Sequence, residues 1–199
     1  ICTIVADHVG FSIFALWSVM AMFMPQAVYG FTAGDKFLLG ATATFVGGCM
    51  RVPYTLGIAK FGGRNWTIFS VLVLIIPTLA TILLLEHPGQ PLWMFLLCAA
   101  LTGLGGANFA ASMANVNAFY PQRLRGWALA TNAGLGNLGA AAVQVVGLVV
   151  LAVAGNRQPY WVCAIYLVLL VVAATAAALF MDNLDHHIEM GHVGSILRV

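Results

Sequence analysis

The sequence contains very little charge: 7% of its 199 residues are Asp, Glu, Lys or Arg, whereas 62% are hydrophobic. A soluble domain carries roughly 25% charged and 45–50% apolar residues, so this composition excludes an ordinary soluble protein. It predicts an integral membrane protein in a lipid bilayer. The net charge is only +2 and the basic residues stand singly, so nucleic acid is not an expected partner.

Long uncharged stretches predict six membrane-spanning helices, because one span requires about 20 mostly apolar residues. Gly, Pro and charged residues mark the loops between the stretches. The predicted fold class is therefore an all-α membrane bundle over residues 1–181, followed by the start of a cytoplasmic loop at 182–199. The predicted spans lie near 8–29, 37–58, 66–85, 91–118, 127–154 and 159–181.

The positions of Lys and Arg predict that both termini are cytoplasmic, since cytoplasmic loops are enriched in these residues. Five lie on the side of the termini and two on the other: Lys60, Arg64, Arg123, Arg125 and Arg198 against Lys36 and Arg157. The expected location is the plasma or inner membrane. Because the chain opens on Ile1 instead of methionine, we expect that an N-terminal piece is missing.

Cysteine is scarce, and no Cys-x-x-Cys spacing is present, so neither a zinc site nor a disulfide framework is indicated. We interpret the four cysteines as packing residues: Cys2, Cys49, Cys98 and Cys163. The tail holds several potential ligands, but their spacing matches no zinc motif and a solvated linker is the preferred interpretation: Asp185, His186, His187 and His192. No metal or cofactor is expected.

Arg51 is the one charged residue deep inside a predicted span. An arginine at the centre of a bilayer costs about 2.5–3.5 kcal/mol on insertion scales, so such residues usually have a function. Its planar, permanently protonated guanidinium suits a small oxyanion better than it suits proton relay. Tyr54 and three residues at helical spacing are expected to share its face: Thr44, Gly47 and Thr55. The alternative is that Arg51 lies near a helix end and extends to the headgroups.

The fourth predicted span carries a small-residue ridge for close helix packing and, beside it, a polar stripe. The ridge consists of Gly103, Ala107, Ala111 and Ala114, and the stripe of Asn108, Ser112 and Asn115. Phe109 adjoins the stripe, as either an aromatic wall of a site or a packing residue.

The fifth predicted span contains a Gly-x-Gly-x-x-Gly string at residues 134–139. A dinucleotide site would require a preceding strand, whereas this string lies in an uncharged apolar segment, so helix contacts are the better interpretation. Asn132 and Asn137 could contact an anion or form hydrogen bonds between helices.

Acidic residues are nearly absent from the predicted spans, with Asp7 and His8 as marginal candidates for a proton relay. This scarcity favours anion exchange over proton symport. An intramembrane enzyme would need a nucleophile with a base, or clustered metal ligands, at depth. Neither is found, because His87 lies in a loop and the span of Ser112 contains no histidine or lysine. We therefore expect no enzyme.

The chain resembles the nitrate/nitrite porters of the major facilitator superfamily over essentially its whole length. Four segments carry the resemblance: Arg51 to Tyr54, Phe61 to Trp66, Gly106 to Asn115 and Ala128 to Gly139. The last segment is similar to the nitrate signature of that family. The resemblance implies a twelve-helix carrier of which this chain is the first half, with nitrate or nitrite and a missing C-terminal six-helix half as partners.

The resemblance also implies roles for individual residues. Arg51 falls on the substrate arginine of the family, Phe109 on the aromatic that stacks against the anion, and Asn137 on the signature asparagine. Tyr54, Asn108 and Asn132 are expected as a secondary substrate pathway. The loop at residues 57–64 lacks the aspartate usual in the superfamily, and the family's second signature and second substrate arginine are absent.

Two alternatives stay open at the level of sequence. One is a facilitator of another small anion, such as a carboxylate or an organophosphate. The other is a non-transporting membrane helical fragment.

Overall fold

A computed structural model describes residues 1–155 and 158–183, which form helices and connecting segments without a strand. Several residues used in the sequence interpretation lie outside the described part: Arg157 and Arg198, which entered the orientation argument, and the tail residues Asp185, His186, His187 and His192.

The helices follow one another with short connections. They are α1 (Cys2–Phe14), α2 (Leu16–Met20), a 3₁₀ turn (Ala21–Phe23), α3 (Gln26–Tyr29), α4 (Ala33–Phe61), α5 (Gly63–Leu72), α6 (Ile75–Glu86), α7 (Leu92–Thr102), α8 (Leu104–Phe119), α9 (Gln122–Ala154) and α10 (Tyr160–Phe180).

The first helical segment differs most from its predicted bounds of 8–29. It begins at Cys2, bends by 41° between α1 and the segment Leu16–Phe23, and ends before Pro25. Met24, which precedes this proline, has left the helical region with φ −108° and ψ 82°, as expected because the proline ring clashes with a helical residue before it. The remaining part of the predicted span forms α3, which buries no residue.

Two further predicted spans are interrupted in the middle. Residues 73 and 74 separate α5 from α6, and Pro77 stands four residues beyond Val73. Since proline has no N–H to donate to the carbonyl four residues earlier, it weakens the helix at this position. Pro77 is buried. It therefore contributes to packing, as expected, and it also lies next to the helix break. The second interruption lies at Gly103, between α7 and α8.

Four of these segments are long and apolar enough to cross a membrane: Gly63–Glu86, Leu92–Phe119, Gln122–Ala154 and Tyr160–Phe180. The bent pair at the N-terminus makes a fifth if it counts as one span. Within the described residues, the 29-residue α4 has the length but is not among the segments apolar enough. The sixth span therefore stays a prediction.

The N-terminus of α4 is fixed by a capping box. The Thr32 backbone N–H donates to Asp35 Oδ2 at 2.9 Å, and the Asp35 N–H donates to Thr32 Oγ1 at 3.2 Å. These bonds satisfy backbone donors that have no partner inside the helix. The helix then runs through Pro53 to Phe61 and ends at Gly62, where φ is +82°.

Helix α1 is the central element and packs against α8, α9 and α10. Glycines permit the closest approaches: a Cβ on Gly105 would overlap the Gly10 carbonyl, and one on Gly139 would overlap the His8 carbonyl. The small-residue ridge of α8 packs on α4, where Ala107 and Ala111 join a buried cluster. The prediction of close helix packing is thus confirmed for the ridge of α8 and for Gly136 and Gly139, but not for Gly134, where an added Cβ would have nothing within 4 Å.

Candidate functional site

Arg51 lies on the exposed side of α4, ten residues before the helix ends at Phe61. At 1.5 Å per residue, that separation is about 15 Å, or nearly three turns. Such a distance disfavours the alternative in which Arg51 merely extends from a helix end.

The ring of Phe109 on α8 supports the Arg51 guanidinium. Arg51 Cζ stands 5.6 Å from the ring centroid, within the range of a cation–π interaction. The half-buried ring is itself held edge-on by Phe11 of α1, with the centroids 5.5 Å apart. Among the described residues, the guanidinium has no hydrogen-bond acceptor. Its N–H donors therefore remain available to a ligand.

Asn137 also lies on an exposed helix face, on α9. Its Nδ2 donates to the carbonyl of Ala133, one turn earlier, at 2.8 Å. The structure thus brings together two of the three expected substrate residues, Arg51 and Phe109. The third, Asn137, lies on α9, and its side-chain amide is hydrogen-bonded within that helix.

Tyr54, which was expected on the same helix face as Arg51, differs from Arg51 in being buried. It is 3% exposed and packs edge-on against Trp66, with ring centroids 5.3 Å apart. Because three residues make slightly less than one helical turn, the Tyr54 side chain points about 60° away from that of Arg51. This direction places Tyr54 in contact with α8. Gly47 is likewise buried, whereas Thr44 and Thr55 are exposed.

Asn108 and Asn132, expected in a substrate pathway, both bind the carboxylate of Asp7. Asn108 Nδ2 donates to Oδ1 and Asn132 Nδ2 donates to Oδ2, each at 2.9 Å. The Ser112 hydroxyl also donates to Oδ2. Asp7 is 0% exposed, so this cluster seals a carboxylate between α1, α8 and α9. We call these four residues the Asp7 cluster.

The Asp7 cluster is a structural feature that sequence reasoning underrated, since Asp7 appeared only as a marginal candidate. The signal was present: one carboxylate in an apolar helix, and neutral amides on two other apolar helices. Polar groups buried in a bundle must find partners. Which helices meet could not be read from the spacing alone.

Among residues 1–155 and 158–183, no group of three or more His, Cys, Asp or Glu side chains could hold a metal ion. Cys98 and Cys163 are buried, and all four cysteines are free thiols.

Comparison with known proteins identifies the family. Residues 9–189 match the Major Facilitator Superfamily. The chain belongs to the major facilitator superfamily. Membership assigns it to a family of multi-pass membrane transporters and not to a family of enzymes.

Within the superfamily, the chain is similar to curated nitrate transporters. It is 39% identical over 143 residues to the nitrate/nitrite transporter NarU of Escherichia coli, which is 72% of this chain and 31% of that protein. It is 35% identical over 129 residues to the probable nitrate/nitrite antiporter NarK2 of Thermus thermophilus, 65% of this chain and 29% of that protein. The chain thus matches about a third of the length of these relatives.

Proposed function

We propose that this chain is one half of a membrane carrier that transports nitrate or nitrite by anion exchange. The observation that supports it best is the Arg51 guanidinium, exposed on α4 and held 5.6 Å from the Phe109 ring. A planar cation with unused donors, beside a flat ring, is complementary to a small planar oxyanion.

In this proposal, nitrate or nitrite accepts two N–H bonds from Arg51 while its plane lies near Phe109. Asn137 approaches from α9 and fixes the orientation of the anion. A second six-helix half covers the exposed faces of α4 and α9, and the two halves rock around the site. This chain alone does not transport, because alternating access needs both halves.

Exchange follows from the charge of the site. An empty site would present a bare cation during reorientation, which is expensive in a low-dielectric medium. A bound anion neutralises Arg51 in each direction, so the occupied carrier reorients more easily than the empty one. Both termini are cytoplasmic in this arrangement, and the membrane is the plasma or inner membrane.

The test is counterflow in vesicles that contain the complete carrier, meaning this chain joined to its second half. Vesicles loaded with nitrite are expected to accumulate labelled nitrate, and vesicles without an internal anion are expected to take up little. Acetate and glycerol phosphate, added outside in excess, should compete poorly.

Equal uptake into anion-free vesicles would contradict exchange. Strong competition by acetate or glycerol phosphate would instead favour the second candidate function, a facilitator of carboxylates or organophosphates.

A further inference from the structure

We propose that the groove between α2 and α4 is an outer capture site for the transported anion, in which Lys36 and Ser18 bind nitrate or nitrite before it reaches Arg51. This inference rests on the proposed function, because it takes a small oxyanion as the ligand and places the N-terminal end of α4 outside the cell. It assigns a second anion site to α4, separate from the pair Arg51 and Phe109.

The groove lies at the N-terminal end of α4 and has a volume of about 770 Å³. Its polar lining comes from Ser18 of α2 and from Lys36 and Thr44 of α4, with Gly40 between the two helices. A Cβ built on Gly40 would lie 3.7 Å from Ser18 Oγ, so the serine hydroxyl stands directly opposite α4. This space, which we call the outer groove, therefore receives an ammonium and a hydroxyl from two different helices.

Lys36 brings a positive charge without a partner into the outer groove. Its side chain is half-buried, and within the described residues no Asp or Glu oxygen lies within 4.0 Å of its ammonium nitrogen. The adjacent Asp35 is held at the helix cap, because its Oδ2 accepts hydrogen bonds from the Thr32 N–H and hydroxyl at 2.9 and 2.7 Å. A half-buried cation without a partner attracts small anions more strongly than a fully hydrated one, because the local dielectric constant is lower.

The donors of the outer groove suit an oxyanion. The Lys36 ammonium offers three N–H donors, and in the described part of the chain the Ser18 hydroxyl forms no hydrogen bond. Thr44 contributes less, since its hydroxyl donates to the Gly40 carbonyl at 2.9 Å. An ammonium is a compact, strongly hydrated charge, whereas a guanidinium is a planar fork. We therefore expect weak and rapidly reversible binding at Lys36, and tighter, oriented binding at Arg51.

The surface of α4 between the two cations leaves room for an anion to pass. Lys36 and Arg51 are 15 residues apart, which is about 22 Å along the helix axis and about 60° around it. A Cβ built on Gly48, one turn before Arg51, would have nothing within 4 Å. The residues between Lys36 and Arg51 that lie within about 60° of the Arg51 direction, counted from the second turn of the helix, have no large apolar side chain: Gly40, Thr44, Gly47 and Gly48.

Lys60, near the other end of α4, is the matched control for Lys36. It lies nine residues beyond Arg51 and points about 180° away from the guanidinium. Its Nζ stands 5.4 Å from the centroid of the Phe61 ring, outside the outer groove. The same substitution at either lysine removes one positive charge from the same helix, but only the change at Lys36 removes it from the proposed path.

The experiment measures the KM for nitrate separately at the two faces of the complete carrier, in right-side-out and in inverted membrane vesicles with saturating nitrite on the opposite side. Lys36→Gln is expected to raise the outer KM at least about threefold at low ionic strength. The increase should shrink in about 0.2 M potassium gluconate, because added ions screen exposed charges. The KM at the cytoplasmic face and the maximal rate should not change. Lys36→Arg should restore most of the wild-type outer KM, and Lys60→Gln should leave it unchanged.

A second variant, Ser18→Ala, removes the hydroxyl of the outer groove but no charge. Its outer KM is expected to rise about twofold or more at both salt concentrations, and it keeps the test valid if Lys36→Gln is not inserted into the membrane. An unchanged outer KM in either variant, or an equal increase at both faces, would overturn the inference while leaving the proposed function intact. Wild-type vesicles without saturable nitrate uptake would instead refute the proposed function.

Discussion

The Arg51 guanidinium is a permanent cation beside a single aromatic ring, on a helix face that none of the described helices covers. Residues of this kind are costly in a membrane unless a ligand or partner neutralises them. In the proposed site, Arg51 would supply charge and directed donors, and Phe109 would limit the orientations that the guanidinium can adopt. Phe11 packs edge-on against the Phe109 ring and helps to hold it in place.

Replacement of Phe109 with leucine tests whether the aromatic ring beside Arg51 contributes to anion binding. The variant Phe109→Leu keeps an apolar side chain but removes the π face, which is worth about 0.5–1 kcal/mol to a nearby cation at an exposed site. Nitrate affinity of the complete carrier should therefore fall about two- to fivefold.

The matched control is Phe45→Leu, at an exposed phenylalanine of α4. Nitrate titrations of both variants by calorimetry give the comparison. Equal affinities in Phe109→Leu and wild type would show that the ring does not take part in binding.

At the scale of helices, glycines decide how closely α1 approaches its neighbours. Gly139 of α9 faces the His8 carbonyl, whereas Gly134, in the same helix, has nothing within 4 Å of a Cβ built on it. Ser12 Oγ also donates to the Gly139 carbonyl at 2.8 Å, so the two helices are joined at this point by both packing and hydrogen bonding.

The two glycines predict opposite effects of the same substitution. Gly139→Ala should force α1 and α9 apart and destabilise the protein by about 1–3 kcal/mol. Gly134→Ala should be neutral or stabilise by up to about 1 kcal/mol, because alanine favours a helix interior. Thermal unfolding of the two detergent-purified variants measures the difference. A Gly139→Ala protein as stable as Gly134→Ala would contradict the described contact.

Sequence spacing predicted much of the helix packing but little of the pairing between side chains. Small residues at three- and four-residue intervals correctly indicated close contacts, because that periodicity follows from the helix alone. The break near Val73 and the burial of Tyr54 were not predicted. The break has a local cause, because Pro77 cannot donate to the carbonyl of Val73. The burial of Tyr54 depends on a neighbouring element: Tyr54 and Arg51 are both close to one helix face, and the position of α8 determines which of them is buried.

The same limit applies to the candidate site. Arg51 was identified because a lone cation in an apolar segment is conspicuous, and the asparagines because they are polar. That Asn108 and Asn132 converge on Asp7 required knowledge of how α1, α8 and α9 meet, which no single helix specifies. The roles of Arg51, Phe109 and Asn137 toward an anion stay predictions.

At the scale of the whole molecule, the helices that carry Arg51 and Asn137 have exposed apolar faces, as α6, α7 and α10 also do. Large apolar residues stand exposed along α4 and α9, including Phe45, Val52, Leu138 and Val145. In a carrier with a second half, these faces would enclose the anion site between the two halves.

The central claim is that the Arg51 guanidinium binds the transported anion, and labelled nitrate uptake by the complete carrier with Arg51→Lys tests it most directly. Lysine keeps the positive charge but lacks the planar fork of donors, so uptake is predicted to fall on the order of tenfold or more. The control, Arg123→Lys at an exposed position in the first turn of α9, should transport like wild type. Wild-type uptake by Arg51→Lys, at equal amounts of protein in the membrane, would contradict the assignment.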